Sequence, residues 1–385
     1  MSNLINTTNH DHMSQPLFFG DNIGIARYDR VKYPWIDKLT DKMNGFHWLP
    51  TVRDLTKDGP DFRSMNSTQQ HIWLSNIKRQ IVLDSIQGRA ISQAFMPIAS
   101  VPELEPLLKT WEYFETIHSR TYTHVIRNVL PDPSIVFDNI LNNEEIVKTT
   151  ANLTKYYDDY ISCLNKFVVY MDECDLGWEH FDNTSTIMIN GGYTTFRDLK
   201  TKFFKCLMSV NILEGLRFYV SFACSFAFAQ KNLMEGNAGL IKLICRDENL
   251  HVAITQKIIK TLRTEDPFFE RLFQDSKEEF TQMFVDTVNE EKEWAEYLFK
   301  DGSMIGLNKE ILGHYIEYIA NRRMKSVGLD AMYKQPTNPL VWMEQWTGSK
   351  NVQVAAQETE ITSYIIGGVD SDLGKGNNAL TGFEL

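Results

Sequence analysis

The sequence predicts an all-α protein built as a bundle of long helices. Several segments of more than 20 residues carry apolar side chains at helical spacing, which exceeds the usual length of a helix. One short stretch, between positions 184 and 195, instead has the pattern of two paired strands. The 385-residue chain is 43% hydrophobic and 12% aromatic, enough to fill a large core. Long helices with so little sheet are typical of a bundle.

The first two predicted helices follow a polar arm of about 25 residues. One covers residues 33–47 and ends before Pro50, because proline cannot continue a helix. The other covers residues 65–90, where isoleucines recur at helical spacing. Asn66 or Ser67 can cap its first turn.

A third helix is expected to open at Pro102, since proline is favoured in a first turn, and to stop at Pro131. A more polar helix should follow over residues 143–169. Gly191 and Gly192 then lie between two β-branched runs, which predicts a short hairpin inserted between helices.

Four more helices complete the predicted bundle, over residues 196–230, 237–262, 268–299 and 308–327. Beyond Pro336, proline, glycine and polar residues dominate, a composition typical of a flexible segment. We therefore expect a helical domain over residues 1–350 and a flexible tail over residues 351–385.

The overall composition excludes several classes of protein. A net charge of −11, with no Lys/Arg run, argues against a nucleic-acid partner. The N-terminus lacks the apolar core of a signal peptide, and the most apolar run, residues 218–229, is too short to span a membrane. The five cysteines, with no CxxC pair, indicate reduced thiols in a cytoplasmic protein. These are Cys163, Cys174, Cys206, Cys224 and Cys245.

Two Glu-x-x-His motifs carry the chemistry that the sequence predicts. They are Glu115 with His118, and Glu248 with His251, and each lies in a predicted apolar helix. One motif alone is weak, because a lone histidine on a helix is usually a core residue and a lone acid is usually paired with arginine. Two such motifs, interleaved with further acids on apolar helices, form a much more specific pattern.

The further acids are Asp84 and Glu214. Burying ionised carboxylates costs several kcal/mol each unless something compensates for the charge. Four acids and two imidazoles converging from four helices would be compensated by two divalent cations. This is the ligand set of ferritin-like di-iron and di-manganese carboxylate proteins. Oxygen and imidazole ligands without thiolate favour iron or manganese over zinc.

Tyr122 shares a helix face with Glu115 and His118, about 10 Å along the axis from Glu115. A phenol at that distance stands near a metal held by these residues but outside its coordination shell. It is therefore a candidate for oxidation, although a lone buried tyrosine is more often core packing. Three apolar side chains share the ligand-bearing faces and could shield a radical, or equally could be plain core: Phe218, Phe222 and Ile244.

The sequence resembles the small, radical-generating subunit of class I ribonucleotide reductase, in its bacterial and T-even phage form. The resemblance covers nearly the whole chain. It is carried by LFFGDNIGIARYD (17–29), LDSIQGRA (83–90), ETIHSRTYTHVIRN (115–128), FYVSFACSFAFA (218–229), RDENLH (246–251), LFKDGSMIGLN (298–308) and NVQVAAQETEITSY (351–364). Residues 43–47 are more polar than is usual in the family, and residues 176–198 match poorly.

The resemblance implies two iron ions, with manganese as the alternative, bridged by Glu115 and Glu248. Asp84 and His118 would complete the shell of one ion, and Glu214 and His251 that of the other. With oxygen and an electron donor, Tyr122 would become a stable radical in a pocket formed by Phe218, Phe222 and Ile244.

The resemblance also implies a radical relay to a partner. Trp48 matches the electron-relay tryptophan of the family, and Asp247 matches the aspartate that links it to His118. Tyr364 matches the tail tyrosine that passes the radical to a large catalytic subunit, to which residues 382–385 would dock. The family further implies a homodimer that reduces ribonucleotides only with that large subunit.

Two other functions use similar ligands. A ferritin-like iron store would need neither a buried Tyr122 nor a tail with Tyr364. A di-iron oxidase or hydroxylase would need a substrate pocket beside the metals, where Phe218, Phe222 and Ile244 are expected to fill the space. The sequence leaves open iron against manganese, the electron donor, and host or viral origin.

Overall fold

The computed structural model describes residues 6–347, except positions 8, 10, 22 and 305 and the side chains of 152 and 153. The predicted tail over residues 351–385, with Tyr364, lies outside the described residues. Its separation from the helical domain therefore stays a prediction.

Helices make up most of the described chain, which confirms the prediction of an all-α bundle. In chain order they are α1 (Pro34–Gly45), α2 (Asp58–Ser64), α3 (Ser67–Phe95), α4 (Leu104–Val129), α5 (Ser134–Phe137), α6 (Glu144–Cys174), α7 (Phe196–Ile212), α8 (Tyr219–Ala229), α9 (Glu235–Glu265), α10 (Pro267–Asp275), α11 (Lys277–Leu298), α12 (Lys309–Val327) and α13 (Glu344–Thr347). The predicted hairpin is present as antiparallel strands β1 (Thr186–Ile189) and β2 (Gly192–Thr195).

The predicted cap of α3 is present, whereas α4 begins two residues later than predicted. The Asn66 side chain accepts a hydrogen bond from the backbone of Gln69, and the Gln69 side chain accepts one from the backbone of Asn66. This reciprocal arrangement satisfies two backbone donors at the end of the helix. Pro102 lies in the turn before α4, which begins only at Leu104.

The prediction of one continuous α-helix over residues 196–230 is wrong at one point. Between α7 and α8 the backbone forms a π-helical segment, Leu213–Arg217, which carries Glu214. A π turn disturbs the regular α-helical hydrogen bonding and is frequent at functional sites. Side chains reach the carbonyls of this segment, since Arg323 Nε donates to Gly215 O at 3.1 Å and Arg79 Nη1 donates to Arg217 O at 3.3 Å.

The predicted helix over residues 268–299 is also two helices, because the chain leaves helical geometry at Ser276. The rings of Phe273 and Phe280 stack across this break with centroids 5.8 Å apart. Aromatic packing therefore links the two helices across the break.

The core lies between α3, α4, α6 and the stretch from α7 to α9. The stretch Phe196–Ala229 is long and apolar enough to cross a membrane, but 94% of its most apolar window is buried inside the protein. It is therefore the central helical stretch of the core. Gly88 lets α3 approach α4 closely, because a Cβ at this position would lie 3.3 Å from Glu115 Cβ.

A buried ion pair ties α3 to α11. Arg79 Nη1 donates to Glu291 Oε2 at 2.9 Å, Nη2 donates to Glu291 Oε1, and neither side chain is exposed to solvent. The guanidinium also lies over the Trp294 ring, 4.9 Å from its centroid. Removing one partner of such a pair leaves an uncompensated buried charge.

We expect Arg79→Met to lower the free energy of unfolding by about 3–5 kcal/mol, measured by urea denaturation. The double variant Arg79→Met/Glu291→Leu should recover most of this loss, because it leaves no charge behind. Lys148→Met removes a surface partner of Glu293 and should change the free energy little. An Arg79→Met protein as stable as wild type would contradict this account.

Candidate metal centre

Four helical segments bring all six predicted ligands together in the core. Asp84 comes from α3, Glu115 and His118 from α4, Glu214 from the π-helical segment, and Glu248 and His251 from α9. Every one of these side chains is fully buried. They form two overlapping groups, in each of which the ligand atoms lie within 4.8 Å of one another. One group is Asp84, Glu115, His118 and Glu248; the other is Glu115, Glu214, Glu248 and His251.

Glu115 and Glu248 belong to both groups, and their oxygens are divided between the two histidines. His118 Nδ1 lies 3.4 Å from Glu115 Oε2 and 3.2 Å from Glu248 Oε1. His251 Nδ1 lies 3.1 Å from Glu115 Oε1 and 3.1 Å from Glu248 Oε2. Each carboxylate thus presents one oxygen to each side of the centre, which is the geometry of a bridging ligand.

Asp84 and Glu214 complete the two sides. Asp84 Oδ2 is 3.9 Å from His118 Nδ1, and Glu214 Oε2 is 3.8 Å from His251 Nδ1. Burial, and then the neighbouring carboxylates Glu115 and Glu248, raise the pKa of Asp84 well above its usual value. Burial and the same two neighbours also raise the pKa of Glu214. The ionised forms of Asp84 and Glu214 are therefore unfavourable when no cation compensates for their charge.

The donor atoms fit a pair of metal ions. Several of them are buried without a hydrogen-bond partner in the described part of the chain: both oxygens of Asp84, Glu115 Oε2, Glu214 Oε2, Glu248 Oε1 and His118 Nδ1. Buried polar atoms are nearly always hydrogen-bonded, so such a concentration in one place requires an explanation. Oxygen and imidazole donors that converge on two centres meet the requirements of iron or manganese.

A second set of side chains orients the ligands. His118 Nε2 lies 3.2 Å from Asp247 Oδ2, which also accepts a hydrogen bond from Trp48 Nε1 at 2.7 Å. Arg246 Nε donates to the other Asp247 oxygen at 3.0 Å, and its guanidinium lies 4.2 Å from the centroid of the Phe46 ring. Trp48 is fully buried. Such partners hold the ring of a metal-binding histidine in place.

Three supporting residues were missed by the sequence reasoning: Trp111, Gln87 and Arg246. Trp111 Nε1 donates to Glu115 Oε1 at 3.0 Å, and Gln87 Nε2 donates to Glu214 Oε1. Trp111 lies four residues before Glu115, and Gln87 lies three residues after Asp84. A helical-face search around each acid would have found both as neighbours, but not which oxygen they bind.

Tyr122 is fully buried, and its hydroxyl has no hydrogen-bond partner among the described residues. Burial raises the pKa of this phenol well above its usual value, and the Asp84 carboxylate raises it further. Phe218, Phe222 and Ile244 are also fully buried, and the first two rings stack 5.7 Å apart. Their role around Tyr122 stays a prediction.

Comparisons with known proteins agree on one family. The family model described as "Ribonucleotide reductase, small chain" matches residues 26–339. The chain is 46% identical over 380 residues to "Ribonucleoside-diphosphate reductase 1 subunit beta" of Salmonella typhimurium, covering 98% of both proteins. It is 38% identical over 383 residues to "Ribonucleoside-diphosphate reductase subunit beta" of Enterobacteria phage T4, covering 97% of both.

Solved structures share the fold at low sequence identity. The "Ribonucleotide reductase R2 subunit from Clostridium botulinum" matches with a TM-score of 0.74 and 22% identity, over 90% of this chain and 98% of that one. The "Streptococcus sanguinis dimanganese(II)-NrdF" structure matches with a TM-score of 0.64 and 16% identity, over 81% and 95% of the two chains.

We expect Mn²⁺ to stabilise the metal-free protein, since the ions would bind only where the folded chain assembles the acids. At a free concentration 100 times the dissociation constant, each site should add about 2.7 kcal/mol to the free energy of unfolding. Glu115→Ala should lose most of this gain. Glu112→Ala, on the same helix but hydrogen-bonded to Ser92, should keep it. Urea denaturation with and without Mn²⁺ measures the difference, and an equal gain in both variants would contradict the assignment.

Proposed function

Because the chain belongs to the ribonucleotide reductase small-chain family, we propose that it stores a one-electron oxidising equivalent at Tyr122 for a large catalytic subunit. The enzyme of which this chain is a subunit is a ribonucleoside-diphosphate reductase, an oxidoreductase that converts ribonucleotides to deoxyribonucleotides. The observation that carries the proposal is a fully buried phenol, acted on by Asp84, beside a cluster of buried acids and imidazoles.

The six clustered side chains are proposed to hold two iron ions, with manganese as the alternative. Glu115 and Glu248 would bridge the ions, Asp84 and His118 would bind one, and Glu214 and His251 the other. When bound and reduced, the ion pair would activate O₂ and supply an oxidant strong enough for a phenol. Full reduction of O₂ to water takes four electrons, of which a reduced ion pair would give two and Tyr122 one, so an external electron donor would supply the fourth.

Tyr122 is proposed to give one electron to that oxidant and its hydroxyl proton toward Asp84, the carboxyl group that acts most strongly on this phenol, which leaves a neutral tyrosyl radical. Complete burial keeps water and reductants from the ring, so the radical can persist. Phe218, Phe222 and Ile244 are proposed to form the apolar wall of this pocket.

The hydrogen-bonded series of Trp48, Asp247 and His118 is proposed as the inner part of the relay. Trp48 and His118 both contact Asp247 Oδ2, so one carboxylate oxygen couples the indole to a metal ligand. Tyr364 would carry the oxidising equivalent onward, and residues 382–385 would dock on the large subunit, which holds the nucleotide. The family is also the basis for proposing a cytoplasmic homodimer.

Tyr122→Phe tests the site of the radical. After anaerobic loading with Fe²⁺ and exposure to O₂, wild type should give a tyrosyl radical signal by electron paramagnetic resonance (EPR). The variant should give none while binding the same amount of iron, since phenylalanine has no oxidisable hydroxyl.

Tyr160→Phe provides the matched control for this experiment. Tyr160 is also fully buried, but its hydroxyl donates to Ala94 O at 2.9 Å, far along α3 from Asp84. This variant should keep the radical. A radical signal that survived in Tyr122→Phe would disprove the assignment.

Removal of residues 351–385 tests the role of the tail. The truncated protein should form the radical in full yield, because no proposed ligand lies in the removed segment. Its reductase activity with the large subunit should fall to background. Full-length Tyr364→Phe should still bind the large subunit but not turn over, which separates docking from radical transfer. Normal turnover by either protein would rule out the proposed relay.

A further inference from the structure

A buried chain of hydrogen bonds extends from the candidate metal centre to α6, a helix that carries no proposed ligand. The Tyr157 hydroxyl on α6 donates to Gln87 Oε1 on α3 at 2.8 Å, and Gln87 Nε2 donates to Glu214 Oε1. Gln87 and Glu214 are fully buried, and Tyr157 is 2% exposed. The side-chain amide of Gln87 thus links three segments: α3, α6 and the π-helical segment.

The chemistry of the three groups sets the direction of this chain. An amide has a donor end and an acceptor end, whereas an ionised carboxylate can only accept. While Glu214 is ionised, the amino group of Gln87 must therefore face it, and the carbonyl oxygen must face Tyr157. The phenol then donates to that oxygen. With the amide reversed, its carbonyl oxygen would face the carboxylate, and two buried acceptors would repel each other.

The amide also decides which oxygen of Glu214 remains available. Oε1 is occupied by Gln87, whereas Oε2 has no hydrogen-bond partner within the residues that the structure describes and lies 3.8 Å from His251 Nδ1. Other ligands are anchored in the same way, since Trp111 holds Glu115 and Asp247 holds His118. Tyr157 differs because it contacts Gln87, which in turn contacts Glu214, and does not contact a proposed ligand through this hydroxyl.

We propose that Tyr157 is a positioning residue that fixes the Gln87 amide and thereby reserves Glu214 Oε2 for the metal ion on the His251 side. The inference rests on the proposed function, because it assumes that metal ions bind at this centre. Loss of the phenol hydroxyl would leave Gln87 Oε1 without its donor. The amide could then turn, and Glu214 would be less often in its metal-binding orientation.

The experiment measures Mn²⁺ binding by the full-length, metal-free protein, using the EPR signal of free Mn²⁺. Two variants that each keep one ion serve as backgrounds, so that the two sides of the centre can be measured separately. His118→Ala should retain the ion near Glu214, and His251→Ala should retain the ion near Asp84. Tyr157→Phe should weaken Mn²⁺ binding roughly 10- to 100-fold in the His118→Ala background, the usual effect of losing a supporting partner. It should leave binding unchanged in the His251→Ala background.

Gln87→Met distinguishes positioning from general damage to the fold. If Tyr157 acts through the amide, then Tyr157→Phe should have no further effect on Mn²⁺ binding once Gln87 is methionine. Tyr160→Phe is the matched control, since it removes a buried phenol hydroxyl one turn along α6 that donates to Ala94 O. It should bind Mn²⁺ as the parent protein does.

The positioning role of Tyr157 is overturned if Tyr157→Phe leaves the Mn²⁺ affinity intact, weakens binding equally in both backgrounds, or adds its full effect to that of Gln87→Met. If unmodified protein takes up fewer than two Mn²⁺ ions, the proposed metal pair itself fails, and the role of Tyr157 with it. Two ions bound by unmodified protein, with no change in Tyr157→Phe, would leave the proposed function standing and reject the role of Tyr157 alone.

Discussion

Mutual repulsion among four buried carboxylates is the constraint around which this structure is built. Asp84, Glu115, Glu214 and Glu248 lie in a core where an isolated charge is costly, and two imidazoles cannot neutralise them all. Divalent cations are the simplest compensation. The long helices, the close approach at Gly88 and the interrupted helix between α7 and α8 all serve to bring these acids to one place.

The rest of the core holds the acids against this repulsion. Trp111, Gln87 and Asp247 each engage a ligand from outside the cluster. Arg79 and Arg323 in turn bind carbonyls of the π-helical segment, and Arg79 is itself held by Glu291. The centre is therefore surrounded by directional contacts that link α3, α4, α9, α11 and α12. This network explains how a chain with an apolar core can keep so many polar atoms in fixed positions.

Much of the fold could be predicted from local sequence signals. Helical spacing located the long helices, and Gly191-Gly192 located the hairpin, because both signals arise from neighbouring residues. The repeated Glu-x-x-His pattern singled out residues that the structure brings together. The π-helical segment escaped prediction because its carbonyls are bound by Arg323, which is distant in sequence, and the break at Ser276 because no proline or glycine marks it. Gln87 escaped because Glu214, the acid that it binds, is distant in sequence, whereas Trp111 lies only one helical turn from Glu115.

The π-helical segment makes the length of this stretch as important as its composition. A π turn holds about one residue more than an α turn, so losing one residue between positions 213 and 217 would convert the segment to α-helix and change the register of Glu214 relative to α8. Glu214 would leave the cluster, or Phe218 and Phe222 would leave their buried positions. Many side chains on α8 could be exchanged for others of similar volume, yet an insertion or deletion here would remove either the ligand or the wall. The register of this stretch is therefore a structural requirement separate from the identity of its side chains.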